Sequence, residues 1–460
     1  MIIQSTHTPN LRRASAPAPR AESTGISGDS FQPSQPQPQP PTQQPPASQQ
    51  PPAQQPPSQP APPQQPPAPP QPELKDWTVL VYSVSDNNLY RYMQSDLDEA
   101  ERVGSTNEMN VLAETSHQPK GGNVVRMKLE ADSTPGLKSP VLQDLGRTHD
   151  MAKSENLANS IAWAMKEFPS KNFFLVCSDH GAGWKGAHHA ESTDSWMNAT
   201  DLEDALKSAQ EQTGRKIDVI GFDECLMAST EIAHQLKDYA NYLVASEEVE
   251  GGAGWQYDDV LGKQSNTNSR ILSGKVLDYA AAALRARDPL TPADMAKAVV
   301  SMAEGHQRDL GTMSAIDLTK MDSVSAALDN FAGKVLDSNI TPQEFAPVAQ
   351  QAQKFYDFAD AGHLVQLAGD KFGGEIGEAA AQVKAALGEA VIAEQHSQKY
   401  PKATGLNIEY RRQAAAPGLT DDSQIPNMSP EDQSRMKMNP YHTTKFAQET
   451  RWDEMLRKVR

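Results

Sequence analysis

A histidine and a cysteine, each placed soon after a short apolar run, are the residues of this sequence best suited to covalent chemistry. The first run, Phe173–Cys177, is followed by His180, and the second, Ile217–Phe222, is followed by Cys225. Such runs, rich in β-branched and aromatic residues, are typical of buried strands. Because reacting groups collect at the carboxyl edge of an open α/β sheet, we expect the imidazole and the thiol to meet there. A thiol beside an imidazole predicts a nucleophile and its base.

The chain has two cysteines, and their sequence surroundings differ. Cys177 lies inside the first apolar run, which favours core packing. Cys225 precedes the segment Leu226–Lys237, in which Ile232 and Leu236 stand at helical spacing. A helix N-terminus lowers the pKa of a thiol, so we expect Cys225 to be the reactive cysteine, with a depressed pKa. Two cysteines do not make a disulfide framework.

His180 is the expected general base, or the imidazolium partner of a preformed thiolate. Gly181 follows it and lets the backbone approach a ligand closely. Asp179 precedes it, but a sequence neighbour can point away, so we do not assign it to a triad. A zinc site of His180, His188 and His189 is the alternative. No cysteine or carboxylate stands at metal-ligand spacing with these histidines, so we expect no metal there.

A carboxylate, Asp223, stands two residues before Cys225 and shares its face if the strand continues that far. A carboxylate beside a nucleophilic thiol raises the pKa of the thiol. A compensating use would be to bind a cationic group of the substrate. Capping of the following helix is the alternative role.

A second group of acids follows the predicted strand Tyr242–Ser246. Glu247, Glu248 and Glu250 lie in a glycine-rich stretch at the carboxyl end of that strand, near the expected position of the histidine and the cysteine. They could join the substrate pocket or bind a calcium ion. A solvated acidic loop is the default interpretation.

Strands alternate with helices in the first half of the folded sequence. This alternation predicts an α/β, caspase-like architecture, a largely parallel sheet covered by helices on both faces. The other predicted strands of this half are Val79–Tyr82, Asn110–Glu114, Asn123–Leu129 and, as the last strand of the sheet, Tyr242–Ser246. The predicted helices are Leu89–Val103, Asn156–Phe168 and a segment from Asp201.

The pattern turns mostly helical after about residue 258. We therefore divide the chain into a Pro- and Gln-rich disordered tail (1–73), a catalytic α/β core (74–260) and a mostly helical C-terminal extension that completes the domain (261–460). The predicted elements of the extension are helices at Ser273–Arg287, Pro292–Gly305, Asp322–Leu336, Phe345–Ala361, Gly374–Ile392 and Thr444–Val459, and strands at Met313–Leu318 and Gly405–Tyr410.

Composition excludes some partners and compartments. The 460 residues include 42 basic and 59 acidic ones, a net charge of −17, which argues against nucleic acid. No apolar run is long enough to span a bilayer. Met1–Arg20 lacks the apolar core of a secretory signal, so we expect a cytoplasmic location or export by a non-classical route. The tail is interpreted as a spacer rather than a ligand of a proline-binding module, and the protein as a monomer.

Several short motifs, taken together and in order, resemble those of the clostripain family of cysteine peptidases, relatives of caspases, legumains and gingipains. The resemblance covers roughly residues 75 to 460. The motifs are Asp86–Leu89, Asp179–Trp184, Gly221–Met227, Ala245–Glu248 with Gly254–Tyr257, Thr404–Ile408 and Phe446–Trp452.

The resemblance implies a cysteine endopeptidase that works through a Cys225–His180 dyad and an acyl-enzyme. It implies an oxyanion hole made by the backbone amides of Gly181 and Cys225. It also implies that Asp223 lies in the pocket for the arginine or lysine before the scissile bond, so the partners would be peptides with basic residues. No cofactor is required, with calcium as an optional ion. The alternatives are a related peptidase that prefers Asn or Asp, and a catalytically silent peptide-binding protein.

Overall fold

The structure, a computed structural model, describes residues 74–118, 121–252, 254–255, 290–302, 311–411 and 441–460. The predicted tail (1–73) and the predicted helix Ser273–Arg287 lie outside these ranges. In the described ranges the strands are β1 (Lys75–Ser83), β2 (Met109–Ser116), β3 (Val124–Lys128), β4 (Val141–Gly146), β5 (Ser170–Ser178), β6 (Ala187–Ala190), β7 (Ser195–Met197), β8 (Ile217–Asp223), β9 (Ala240–Ala245), β10 (Thr312–Asp317), β11 (Lys354–Phe355), β12 (Phe358–Asp360), β13 (Val391–His396) and β14 (Asn407–Ile408).

Helices connect and cover these strands. The described α-helices are α1 (Tyr90–Val103), α2 (Ser154–Glu167), α3 (Ala199–Thr213), α4 (Thr230–Leu236), α5 (Pro292–Met302), α6 (Met321–Asp337), α7 (Pro342–Gln351), α8 (Ala361–Phe372), α9 (Gly374–Ala390), α10 (Lys445–Glu449) and α11 (Trp452–Val459). None of these helices is both long and apolar enough to cross a membrane.

A nine-stranded sheet, in the order β13-β10-β9-β8-β5-β1-β2-β3-β4, forms the centre of the described chain. The five strands from β9 to β2 are parallel, and two antiparallel strands extend each side. Both faces of the sheet are covered. Along β1, Leu80 and Tyr82 enter one apolar core while Val79 and Val81 enter the other. This arrangement confirms the predicted α/β fold with helices on both faces.

One strand prediction and the end of one predicted helix need correction. Tyr242–Ser246 does not supply the last strand of the sheet, because β10 pairs antiparallel with β9 and β13 pairs with β10. The predicted added strand at Met313–Leu318 is therefore confirmed as β10. The predicted helix Gly374–Ile392 ends at Ala390, where the chain enters β13.

Two predicted helices are shorter than the sequence pattern indicated. The helix predicted at Leu226–Lys237 begins only at Thr230, since Leu226 donates its N–H to the Glu248 carbonyl and adopts a φ of 69°. The helix predicted at Phe345–Ala361 ends at Gln351, and the hairpin of β11 and β12 follows.

Candidate active site

The loops that carry His180 and Cys225 leave the sheet side by side. They follow β5 and β8, which are parallel neighbours, with Ser178 paired to Asp223 at the carboxyl edge. Both residues line one cavity of about 260 Å³. The loops touch there, because a Cβ added to Gly181 would come within 2.4 Å of the Cys225 carbonyl oxygen.

The imidazole of His180 contacts a residue that the sequence analysis did not select. Its Nε2 lies 2.7 Å from Oδ1 of Asn88, in the turn between β1 and α1. An amide oxygen only accepts hydrogen bonds, so this contact places the ring hydrogen on Nε2. Asn88 belongs to the motif Asp86–Leu89, and that was the signal available in the sequence.

The Asp179 carboxylate links its own loop to the turn after β1. Its carboxylate accepts hydrogen bonds from Asn87 Nδ2 at 2.5 Å and from the His189 backbone N–H. The side chain is buried, and burial, with the nearby Glu224 carboxylate, raises the pKa of Asp179 well above its usual range. Asp179 therefore supports the loop that presents the histidine.

The thiol of Cys225 has the opposite pKa shift from the one predicted. The first helical residue after it is Thr230, so the following helix does not begin at the cysteine as the sequence predicted. Burial and the carboxylate of Glu250 raise the pKa of Cys225 to about 12, and its Sγ lies 3.9 Å from the Glu250 carbonyl oxygen. The thiol is thus protonated in this state. The other cysteine, Cys177, is fully buried in the core, as predicted.

Five buried carboxylates line the same cavity as Cys225, those of Asp96, Asp179, Asp223, Glu224 and Glu250. Asp223 precedes the cysteine, Asp96 lies on α1, and Glu250 lies on the loop after β9. Asp223 Oδ1 accepts the Trp255 N–H at 2.8 Å. The sequence analysis missed Asp96. It shares the cavity-lining face at the start of α1 with Leu89, Tyr92 and Met93, and an acid on an otherwise apolar and aromatic face is the signal that could have found it.

The loop after β9 reaches Asp223 because two glycines allow close contact. Gly254 has a φ of 55°, and a Cβ there would lie 2.7 Å from the Asp223 carboxylate. Gly221 leaves room on β8 for the Trp255 indole, which a Cβ would approach to 2.7 Å. The loop is thereby fixed over the acid that it contacts.

Glu247 and Glu248, for which the sequence left a pocket role, a calcium site and a solvated loop open, lie outside the cavity. Glu247 is fully buried and accepts the Gly405 N–H at 3.1 Å, and Glu248 accepts the N–H of Val249 at 2.8 Å. Their neighbour Glu250, three residues after Glu247, turns inward instead.

The other two histidines of the predicted alternative zinc site have separate contacts. His188 Nε2 lies 3.1 Å from Glu224 Oε1, with both side chains buried, and burial lowers the pKa of His188 to about 3. His189 stacks on Trp196 at 4.5 Å between ring centroids. Within the described ranges, no three His, Cys, Asp or Glu side chains are placed to hold a metal ion.

Comparison with known proteins agrees with the resemblance seen in the motifs. The model of the clostripain family, peptidase family C11, matches residues 81–458. The chain belongs to the clostripain family. Clostripain of Hathewaya histolytica is 22% identical over 308 residues, a match that covers 57% of this chain and 57% of clostripain.

Two solved structures share the fold of this clostripain-family chain. A secreted C11 cysteine protease of Bacteroides thetaiotaomicron, "iotapain", has a TM-score of 0.57 at 16% identity and covers 82% of this chain and 100% of its own. An inactive C11 zymogen of Parabacteroides distasonis has a TM-score of 0.55 at 19% identity and covers 83% and 99%.

Proposed function

We propose that this protein is a cysteine endopeptidase that cleaves peptide bonds after arginine and, less well, after lysine. The observation that carries the proposal is the set of carboxylates, Asp96, Asp223 and Glu250, in the cavity that also holds Cys225 and His180. Membership of a peptidase family supports the reaction type. The acids support a basic side chain next to the scissile bond.

The proposed reaction begins when Sγ of Cys225 attacks the peptide carbonyl carbon while His180 takes the thiol proton. The backbone N–H groups of Gly181 and Cys225 would hold the oxyanion that forms. His180 then gives the proton to the leaving amine as the C–N bond breaks. Water, deprotonated by His180, hydrolyses the thioester and restores the thiol. A thiol pKa of about 12 favours general-base catalysis over a preformed thiolate.

Charge and geometry favour arginine at the first specificity position. A guanidinium offers five donors and bridges carboxylates through paired, charge-assisted hydrogen bonds, whereas an ammonium group is a compact single charge. A substrate aspartate would meet like charges in this cavity, which disfavours the alternative Asp preference. The reaction consumes only peptide and water, so it needs no cofactor. A calcium ion at Glu247 and Glu248 stays a prediction, as does the monomeric state.

Asp223→Asn tests the basic pocket, because it keeps the shape of the side chain and removes its charge. Losing one partner of a buried charged pair costs on the order of 2–5 kcal/mol, so kcat/KM after arginine should fall at least about 30-fold. The measurement compares peptides ending in Arg, Lys, Asn and Asp on both proteins. Asp204→Asn removes the same charge from an exposed position on α3 and should change little.

The outcomes separate the candidate functions. Wild-type preference for Asn or Asp, or an unchanged Arg preference in Asp223→Asn, would replace the basic-pocket proposal with the related peptidase. No hydrolysis of any peptide, combined with no labelling of Cys225 by a small thiol reagent, would indicate a silent peptide-binding protein.

A further inference from the structure

The carboxylate of Glu250 has an unusual position for an acid. The residue is 8% exposed, and its carboxylate lies against that of Asp223 and beside the Trp255 indole. Neither oxygen accepts a hydrogen bond of normal geometry from the described part of the chain. The side chain lines the cavity, where no described lysine or arginine is present to neutralise it. A buried charge without a partner is costly, so this carboxylate requires either a proton or a cation.

The ionisable groups that line the cavity with Glu250 include four other carboxylates, the thiol of Cys225 and the imidazole of His180. Asp223 and Glu224 come from the end of β8 and the loop after it, Asp96 from α1, and Asp179 with His180 from the loop after β5. Two carboxylates in contact cannot both ionise cheaply, so such pairs share one proton. Burial and the Asp223 carboxylate accordingly raise the pKa of Glu250 well above its usual range.

We infer that Glu250 is a second specificity-determining residue, which shares a proton with Asp223 while the pocket is empty and releases it when a substrate guanidinium or ammonium enters. This inference rests on the proposed preference for basic residues. The exchange balances: one cation enters, one proton leaves to solvent, and the two carboxylates then face the cation instead of each other. Recognition of the substrate would therefore strengthen as pH rises.

Binding of propylguanidinium, a singly charged mimic of the arginine side chain, tests this exchange. Calorimetric titrations at several pH values, in two buffers of different protonation enthalpy, give both the Kd and the number of protons released. The wild-type protein should release about one proton, and its Kd should tighten about tenfold per pH unit below the pKa of the pair.

Glu250→Gln should bind propylguanidinium more weakly at high pH, with little proton release and little pH dependence of Kd. Glu250→Asp keeps a carboxyl one methylene shorter, so it should still release a proton despite weaker binding. Asp204→Asn is the control, since it removes a carboxylate charge from an exposed position on α3 outside the cavity, and it should titrate like the wild type.

Each outcome decides for or against the exchange. Undiminished proton release in Glu250→Gln would place the proton on another group and overturn the inference. Binding without proton release in the wild type, in an enzyme that still cleaves after arginine, would also overturn it while leaving the proposed function intact. No binding and no cleavage after arginine or lysine would remove the proposed function, and the inference with it.

Discussion

The two thiols differ more in access than in chemistry. Cys177 is fully buried near the carboxyl end of β5, paired to Phe222 on one side and Tyr82 on the other. Cys225 is only partly buried and lines the cavity. The pKa of both thiols is raised by burial, so the pKa does not separate them. Access to a substrate carbonyl separates the two thiols.

Cys225→Ala should therefore abolish hydrolysis, since it removes the covalent route. Cys177→Ser should retain most activity per folded molecule, although burying a hydroxyl in its place lowers stability. Turnover of a fluorogenic arginine peptide, with circular dichroism as the folding check, measures both. Equal loss of activity in the two folded variants would contradict the assignment of Cys225.

At the residue scale, type and spacing were enough to select His180, Cys225 and Asp223, which line one cavity. Asn88 stood in a recognised motif, but its contact with His180 and the contacts of Glu250 depend on how separate loops fold back on the sheet, which the sequence does not show. The thiol pKa was predicted with the wrong sign. The sequence showed where helical spacing occurs, but not that four residues intervene before the helix begins.

At the element scale, the site depends on contact between the loops after β5 and β8. A Cβ on Gly181 would meet the Cys225 carbonyl oxygen at 2.4 Å and the Glu224 Cβ at 2.9 Å. A carbonyl oxygen belongs to the backbone and a Cβ is attached directly to it, so neither atom can move away by a side-chain rotation. A larger residue at position 181 would therefore push the histidine loop from the cysteine loop.

Gly181→Ala should lower kcat/KM on the order of 100-fold, because a displacement of about 1 Å at reacting groups has that effect. Gly388→Ala is a matched control, since its Cβ would enter open space near the end of α9, and it should keep full activity. Steady-state kinetics and thermal melts on both variants provide the comparison. Wild-type kinetics in Gly181→Ala would mean that the two loops do not need this contact.

The predictability of the elements follows from their sequence signals. The buried parallel strands were found because their apolar runs are short and bounded by polar residues. The exposed edge strand β4 was missed because it carries no such run. The hairpin of β11 and β12 was absorbed into a helix, since the reversal depends on a single positive φ, 47° at Tyr356.

At the scale of the whole molecule, C-terminal residues hold the loops of the site. Asn407 is fully buried, and its Nδ2 donates to the carbonyls of Leu226 at 3.1 Å and Glu247 at 2.9 Å. Its backbone N–H donates to Ala228 at 2.8 Å. Partners 160 or more positions apart leave no local pattern, so the sequence could not predict them.

The buried carboxyl of Glu231 joins the start of α4 to two segments far along the chain. It accepts hydrogen bonds from Ser229 Oγ at 2.6 Å, the Glu409 N–H at 2.9 Å and Tyr441 Oη at 2.9 Å. Burial raises the pKa of Glu231 to about 7 despite these donors, with the Glu409 carboxylate adding to the rise. The protonation of one side chain is thus linked to the folding of the whole domain.

This link gives the sign of a pH effect on stability. A carboxyl whose pKa is raised in the folded state stabilises that state fully at pH values below the pKa of the unfolded chain, near 4.5. That contribution is lost as pH rises through the folded-state pKa of about 7. The loss amounts to on the order of 2–3 kcal/mol between pH 5 and pH 8. Glu231→Gln removes the titration, so its stability relative to the wild type should rise by that amount over the same interval.

Urea unfolding of both proteins at pH 5 and pH 8, followed by tryptophan fluorescence, measures the difference. Glu378→Gln removes the same charge from an exposed position on α9, and its stability should run parallel to the wild type at both pH values. If the stability of Glu231→Gln also changes between pH 5 and pH 8 as that of the wild type does, Glu231 has the same protonation in the folded and unfolded states over this range. In that case its three donors would outweigh the cost of burying the charge, because charge-assisted hydrogen bonds to a carboxylate favour its ionised form.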